Sequence, residues 1–219
     1  MERRLTAIPL GPLQSNMYLI TGNTGIFVVD PSVSPEEAEK FCELPGLSMG
    51  EQPVKAILIT HGHHDHIKHV DEWLDSYPYA CVFFSSNDKS LLTNGFMNCS
   101  YMEGSETTYD FDFVDLAGRY GQTVFREDDV EIKVYETPGH TMGSVCFLMT
   151  LGEEEMLFTG DTVFRESVGR TDMPGGSSKD LADSVRRLSK LDPELRIYPG
   201  HGPDSTIAYE CEFNYFFSK

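Results

Sequence analysis

A layered α/β protein with mixed sheets is the fold class this 219-residue sequence predicts. Three observations carry that expectation. Short β-branched and aromatic runs recur between Gly- and Pro-containing turns, as strands do. Residues 54–60, VKAILIT, lack polar alternation, which suits a strand covered on both faces. Apolar residues at helical spacing interrupt the strands at intervals, and such alternation favours helices layered on sheets.

The elements follow in order. Residues 17–20 and 26–29 flank the turn Thr21-Gly22-Asn23-Thr24-Gly25 and read as a hairpin. Ser34 caps a helix that has Pro35 at its first position and runs to Phe41. After the strand at 54–60, Ile67, Val70 and Leu74 fall at i, i+3 and i+7, predicting a helix that begins within a histidine-rich segment. Residues 80–84 are the next strand. Residues 94–129 are acidic, aromatic and weakly periodic, and read as a long excursion of helix and loop placed to cover a site. Residues 130–137, 144–150 and 156–159 are strands. The caps Ser177 and Ser178 open a helix carried by Leu181, Val185, Leu188 and Leu191, and residues 196–198 form a short last strand. With no repeat, low-complexity tract or Pro/Ser linker, residues 1–219 read as one domain.

Composition narrows the function. Apolar residues make up 40% and charged residues 24%, as in a soluble globular protein. No apolar run reaches the ~18 residues a membrane helix needs. The N-terminal MERRLTAIPLGPL lacks the apolar core of a signal peptide, so the expected location is cytoplasmic. The five cysteines are scattered and form no CxxC pair, which argues against a disulfide framework and a thiolate zinc site. Seventeen Lys and Arg against thirty-five Asp and Glu leave a net charge of −18, unfavourable for nucleic-acid or anionic-membrane binding. An anionic small substrate would need a locally basic pocket. The oligomeric state leaves no mark on the sequence.

The chemistry sits in THGHHDH, residues 60–66, and in three matching strand ends. His61 directly follows one strand. His140 follows the strand ending at Thr137 by way of Pro138-Gly139, Asp161 follows Gly160, and His201 follows Pro199-Gly200. Four strands thus each end by presenting a His or Asp, and α/β proteins place their sites on such rims. Imidazole and carboxylate suit zinc, iron, manganese or cobalt. His61 and His63, two apart on an extended segment, share a face and can bind one ion. Asp65 and His66, where the chain turns into a helix, point elsewhere and suit a second ion. The seven candidates (His61, His63, Asp65, His66, His140, Asp161 and His201) exceed what one ion takes and suffice for two divalent ions, with a carboxylate able to bridge. His64 alternates away from its neighbours and His69 lies one turn beyond His66, so both are expected to be solvated.

HGHHDH, followed by TPGHTMGSV, TGDTVF and YPGHGP, resembles the metallo-β-lactamase-fold hydrolases, and within them the glyoxalase II (hydroxyacylglutathione hydrolase) branch, particularly short bacterial members. The resemblance runs from about Asn16 to Asn214 and is weak between residues 90 and 129. It implies a four-layer αββα sandwich with two metals, zinc first and iron or manganese next, at one edge of its two sheets. It assigns His61, His63 and His140 to metal 1, Asp65, His66 and His201 to metal 2, and Asp161 to the bridge. Asp30 in VVDP matches a position that supports the metal loop. The implied activity is hydrolysis of a small-molecule thioester, with Asp65 orienting the attacking hydroxide and Arg170, near Arg165 and Lys179, meeting a substrate carboxylate. Full-length relatives carry a further C-terminal helical domain that contacts glutathione, whereas this chain ends soon after His201.

Two rivals remain at this level. GRTD, residues 169–172, also resembles persulfide dioxygenases, in which one iron would sit on His61, His140 and Asp161. A non-catalytic member binding a ligand on the same scaffold is the other, against which all seven candidate positions are intact. A nuclease is disfavoured by the charge.

Overall fold

The computed structural model describes residues 5–217. Two six-stranded mixed sheets face one another. The first contains β1 (Leu5–Leu10), β2 (Ser15–Thr21), β3 (Ile26–Val29), β4 (Val54–Leu58), β5 (Cys81–Phe84) and β6 (Val114–Asp115), in that spatial order. β1, β2 and β3 are antiparallel, and β3 to β6 run parallel. The second contains β7 (Gln122–Glu127), β8 (Val130–Glu136), β9 (Val145–Leu151), β10 (Glu154–Gly160), β13 (Arg196–Pro199) and β14 (Ser205–Thr206), with β10 and β13 parallel. β11 (Val163–Phe164) and β12 (Ser167–Val168) make a small separate hairpin.

Alternation along the strands explains the layers. Met17 and Leu19 on β2 and Ile26 and Val28 on β3 point to one side, where they pack with Ala38 of α1 (Pro35–Cys42) and with Val70 and Trp73. Tyr18, Ile20, Phe27 and Val29 point to the other side and meet Val145, Phe147 and Met149 of β9 between the sheets. Cys146 and Leu148 of β9 face outward again, against Leu181, Val185 and Leu188 of α5 (Ser178–Leu188) and Ile207 of α6 (Ile207–Phe213). Both faces of both sheets are therefore covered, giving the expected αββα sandwich. Strands buried this way read as continuous apolar runs.

Local chemistry sets the helix starts. Ser34 accepts from the Glu37 N–H while the Glu37 carboxylate accepts from the Ser34 N–H, a capping box ahead of Pro35. Ser177 caps α5 through the Asp180 N–H. Two expectations need correction. The helix expected from Ile67 to Leu74 is two pieces, α2 (His64–Ile67) and α3 (Val70–Ser76), broken because the His69 N–H goes to the Pro31 carbonyl. The excursion at 94–129 holds one 3₁₀ turn at Ser100–Glu103 beyond the end of α4 (Lys89–Leu92), the short edge strand β6, and strand β7 in its last part. Strand β1 and helix α6 lack a clear periodic signal and did not stand out in the sequence.

Candidate metal centre

The C-terminal ends of β3, β4, β8, β10 and β13 open onto one rim and deliver Asp30, His61, His140, Asp161 and His201, while α2 adds Asp65 and His66. Two groups form there. The imidazoles of His61, His63 and His140, all buried, have ligand atoms within 4.8 Å of one another and could hold a metal ion. Ring centroids in this inner group are 4.7–4.9 Å apart, and His63 Nδ1 lies 2.9 Å from His140 Nε2. Asp65, His66 and His201 form an outer group meeting the same criterion. Asp161 lies between the two: Oδ1 is 3.3 Å from His66 Nε2, and Oδ2 is 3.4 Å from His140 Nε2 and 3.6 Å from His201 Nε2. All seven candidates thus lie together at this rim.

Their tautomers fit a cation. The Thr60 hydroxyl donates to Asp30 Oδ2 at 2.7 Å, which leaves Thr60 Oγ1 to accept from His61 Nδ1 at 3.0 Å. His66 Nδ1 faces Asp30 Oδ2 at 2.9 Å, His140 Nδ1 donates to the Arg170 carbonyl at 2.7 Å, and His201 Nδ1 to the Leu13 carbonyl at 3.2 Å. In its neutral form, with the proton on Nδ1, each of these rings presents a bare Nε2 to the centre. The Nε2 atoms of His61, His63 and His66 and Oδ1 of Asp161 are buried without a hydrogen-bond partner. Buried polar atoms are almost always satisfied, so these point to a cation as their partner. A third set, Asp30 with His61 and His66, also meets the distance criterion. Asp30 already accepts from the Thr60 N–H and hydroxyl and faces His66, so it supports both groups from behind.

Electrostatics separate the groups. Burial, reinforced by neighbouring imidazoles, pushes His61 well below its ordinary value and His63 down to about 3, which keeps both neutral as ligands must be. Burial also opposes the charged form of His66, yet the carboxylates of Asp65, Asp161 and Asp30 outweigh it and hold His66 well above the ordinary value. His201 is raised, since Asp65 and Asp161 outweigh its desolvation. Burial works against the Asp65 and Asp161 carboxylates, but the adjacent imidazoles win, lowering Asp65 strongly and Asp161 to about 2.

Several supports were not foreseen. Ser15 Oγ donates to Asp65 Oδ2 at 2.6 Å. Asn16 donates to the carbonyls of Pro199 at 3.0 Å and Gly202 at 2.8 Å, and the Tyr18 hydroxyl donates to Pro199 at 2.7 Å, so the start of β2 shapes the His201 loop. Their one sequence signal is a polar pair, Ser15-Asn16, opening an apolar strand. Gly200 belongs to this fit, because a Cβ there would stand 2.3 Å from Asp161 Oδ1. Two clefts flank the turn at residues 11–14. One of about 260 Å³ reaches Ser15 and Asp65, the other of about 570 Å³ reaches His201.

His64 is corrected: it is buried, its Nδ1 meets the Tyr109 hydroxyl, and its N–H donates to the Asn98 carbonyl at 2.8 Å. The excursion expected to cover a site lies over it, which period-two reasoning could not detect. His69 is half-buried, with Nδ1 2.7 Å from Glu72. Arg170 sends its carbonyl to His140, while its exposed guanidinium makes a two-point pair with Asp172 at 2.6 and 2.7 Å.

Comparison with known proteins agrees with this geometry. Residues 10–201 match the metallo-beta-lactamase superfamily. The chain is 31% identical over 209 residues to the probable metallo-hydrolase M6_Spy0554 of Streptococcus pyogenes serotype M6, covering 92% of this chain and 85% of that one. It is 33% identical over 189 residues to a hydroxyacylglutathione hydrolase of Francisella philomiragia, a match spanning 86% of this chain and 63% of the relative. Among solved structures, the BLEG-1 B3 metallo-beta-lactamase superposes with a TM-score of 0.84 at 30% identity, covering 98% of this chain and 100% of that one. TTHA1623 in a di-iron-bound form gives 0.78 at 33% identity, over 96% and 99%. ETHE1 from Myxococcus xanthus gives 0.70 at 25% identity, over 98% and 85%. Fold, strand-end ligand pattern and relatives coincide, and the chain belongs to the metallo-β-lactamase superfamily.

Proposed function

We propose that this chain is a dinuclear metal-dependent hydrolase that cleaves the thioester of a small thiol. The observation that carries the reading is the pair of three-residue groups, inner and outer, joined by the one carboxylate of Asp161. His61, His63 and His140 would hold one ion and Asp65, His66 and His201 the other, with Asp161 placed to serve both; zinc, iron and manganese all suit these donors. Such ions supply a water of pKa near 7 and Lewis-acid polarisation of a carbonyl. Asp65, fixed by Ser15, aims the attacking oxygen. The clefts at Asp65 and His201 admit the acyl group and the thiol from either side of the 11–14 turn. A thiolate leaves readily and needs little acid assistance. Arg170 meets a substrate carboxylate by exchanging it for Asp172. The likeness to a hydroxyacylglutathione hydrolase supports the thioester class.

The test is turnover of S-lactoylglutathione by metal-replete protein, with elemental analysis of the same sample. Hydrolysis lost on chelation and restored by metal is expected. Metal-replete protein that hydrolyses no thioester contradicts the reading. A second reading, a mononuclear iron persulfide dioxygenase on His61, His140 and Asp161, draws on GRTD and accords with the ETHE1 likeness. It leaves the partnerless His66 Nε2 unexplained. One iron per chain and oxygen uptake on glutathione persulfide would favour it.

A further inference from the structure

Asp88 is a fully buried carboxylate that the proposed chemistry leaves unused. It lies just past the end of β5, so the parallel strands β3, β4 and β5 are followed in turn by Asp30, His61 and Asp88. It accepts three hydrogen bonds, and each comes from a segment bearing ligands of the inner group. Oδ2 accepts from the Gly62 N–H at 3.0 Å and from the Thr141 hydroxyl at 2.7 Å, and Oδ1 accepts from the Gly143 N–H at 2.6 Å. Gly62 separates His61 from His63, and Thr141 follows His140. The Thr141 proton goes to Asp88, so the Ser144 hydroxyl, 2.7 Å away, donates to Thr141 Oγ1 while accepting from the Thr141 N–H. No Lys or Arg pairs with Asp88 among the described residues.

The surroundings are cut to this carboxylate. A Cβ on Gly143 would lie 2.6 Å from both the backbone nitrogen and Cγ of Asp88. A Cβ on Gly62 would lie 3.4 Å from Asp88 Cβ and 2.9 Å from Leu91 Cβ. The glycine of HTMGS is therefore explained by close approach to Asp88, whereas that of HGHHDH is required by Leu91 and meets Asp88 at ordinary contact distance. Burying a carboxylate without a cation is costly, and an apolar residue with two turn-closing glycines would be cheaper if packing were its only purpose.

We infer that Asp88 is the positioning residue of the inner metal group: it ties Gly62 to Thr141 and Gly143 and so fixes His61 and His63 relative to His140. The inference rests on the dinuclear reading and concerns one of its two ions. An amide at this position turns an acceptor into a donor facing an N–H, which opens the tie without changing volume.

The test uses the full chain in two backgrounds. His201→Ala keeps only the inner group intact, and His140→Ala only the outer. Zinc affinity is read by competition with a chromophoric chelator, and folding by circular dichroism and thermal midpoint. Asp88→Asn is expected to weaken zinc by about 10- to 100-fold in the first background, the range for groups that orient metal ligands, and to leave the second unchanged. Thr141→Val, which removes one of the three bonds, should weaken the same ion less, and it decides the matter if Asp88→Asn does not fold. Equal weakening in both backgrounds, or none in the first, overturns the inference. Failure of the parent chain to bind zinc at all overturns the dinuclear reading instead.

Discussion

The inner and outer groups stand side by side, with the rings of His61 and His66 only 4.3 Å apart, yet they are built differently. Inner ligands are buried imidazoles delivered from both sheets, and the core that forms the sheets also places them. Outer ligands rest on a four-residue helix, α2, and on the His201 loop, latched by Ser15, Asn16 and Leu13 of the β1–β2 hairpin. His201 has a side chain 29% exposed, and both clefts open on this side. The contrast teaches that a site can be half a product of the fold and half of local latches. The half on which both clefts open is the half more easily disturbed.

That contrast can be broken in stages. Asp161→Ala removes the one residue shared by both groups and should have the largest effect, losing both ions and at least about 1000-fold in hydrolysis. Retention of two ions by that variant, read by elemental analysis, would end the bridging assignment. Next, Asp30→Asn should weaken both ions by about 10- to 100-fold, because Asp30 orients His66 directly and His61 through Thr60. Loss at one group only would show that the two are supported separately. A smaller difference is expected in exchange. On titration with a chelator the outer ion leaves first, and the order is read with His140→Ala and His201→Ala as references. Simultaneous release would erase the distinction.

The smallest effect tests the fold away from the site. Glu37→Gln keeps the capping-box acceptor but removes its charge, and should lower stability by about 0.5 kcal/mol at neutral pH without changing metal affinity. The Ser34 N–H holds the Glu37 carboxyl below its ordinary value of 4.5. Such a group stabilises fully above that value and loses its contribution as pH falls through the lower folded one. The gap between wild type and Glu37→Gln in urea unfolding should therefore narrow as pH falls below 4.5 and close once the lower folded value is passed. A gap that stays constant with pH removes the charge from the explanation.

Much of this arrangement was legible because strands buried on both faces leave long apolar runs, and the residues just past them stand out by contrast. His61, His140, Asp161 and His201 were visible for that reason, three of them after a glycine. Spacing of two likewise separated His61 and His63 from Asp65 and His66. Residues that act through another were hidden. Ser15, Thr60 and Asp88 are ordinary polar residues in sequence, and only the meeting of β2, β4 and β5 at one rim gives them partners. The burial of His64 is hidden for a related reason: it comes from Tyr109 and Asn98, remote in sequence and within a segment of little periodicity.

The central claim is two ions in two groups, and a zinc count tests it most directly. Metal-free protein dialysed against excess zinc and then freed of loose ion should hold two per chain, falling to one in His201→Ala and to one in His140→Ala. A wild-type count of one, or a count unchanged by either substitution, would contradict the account.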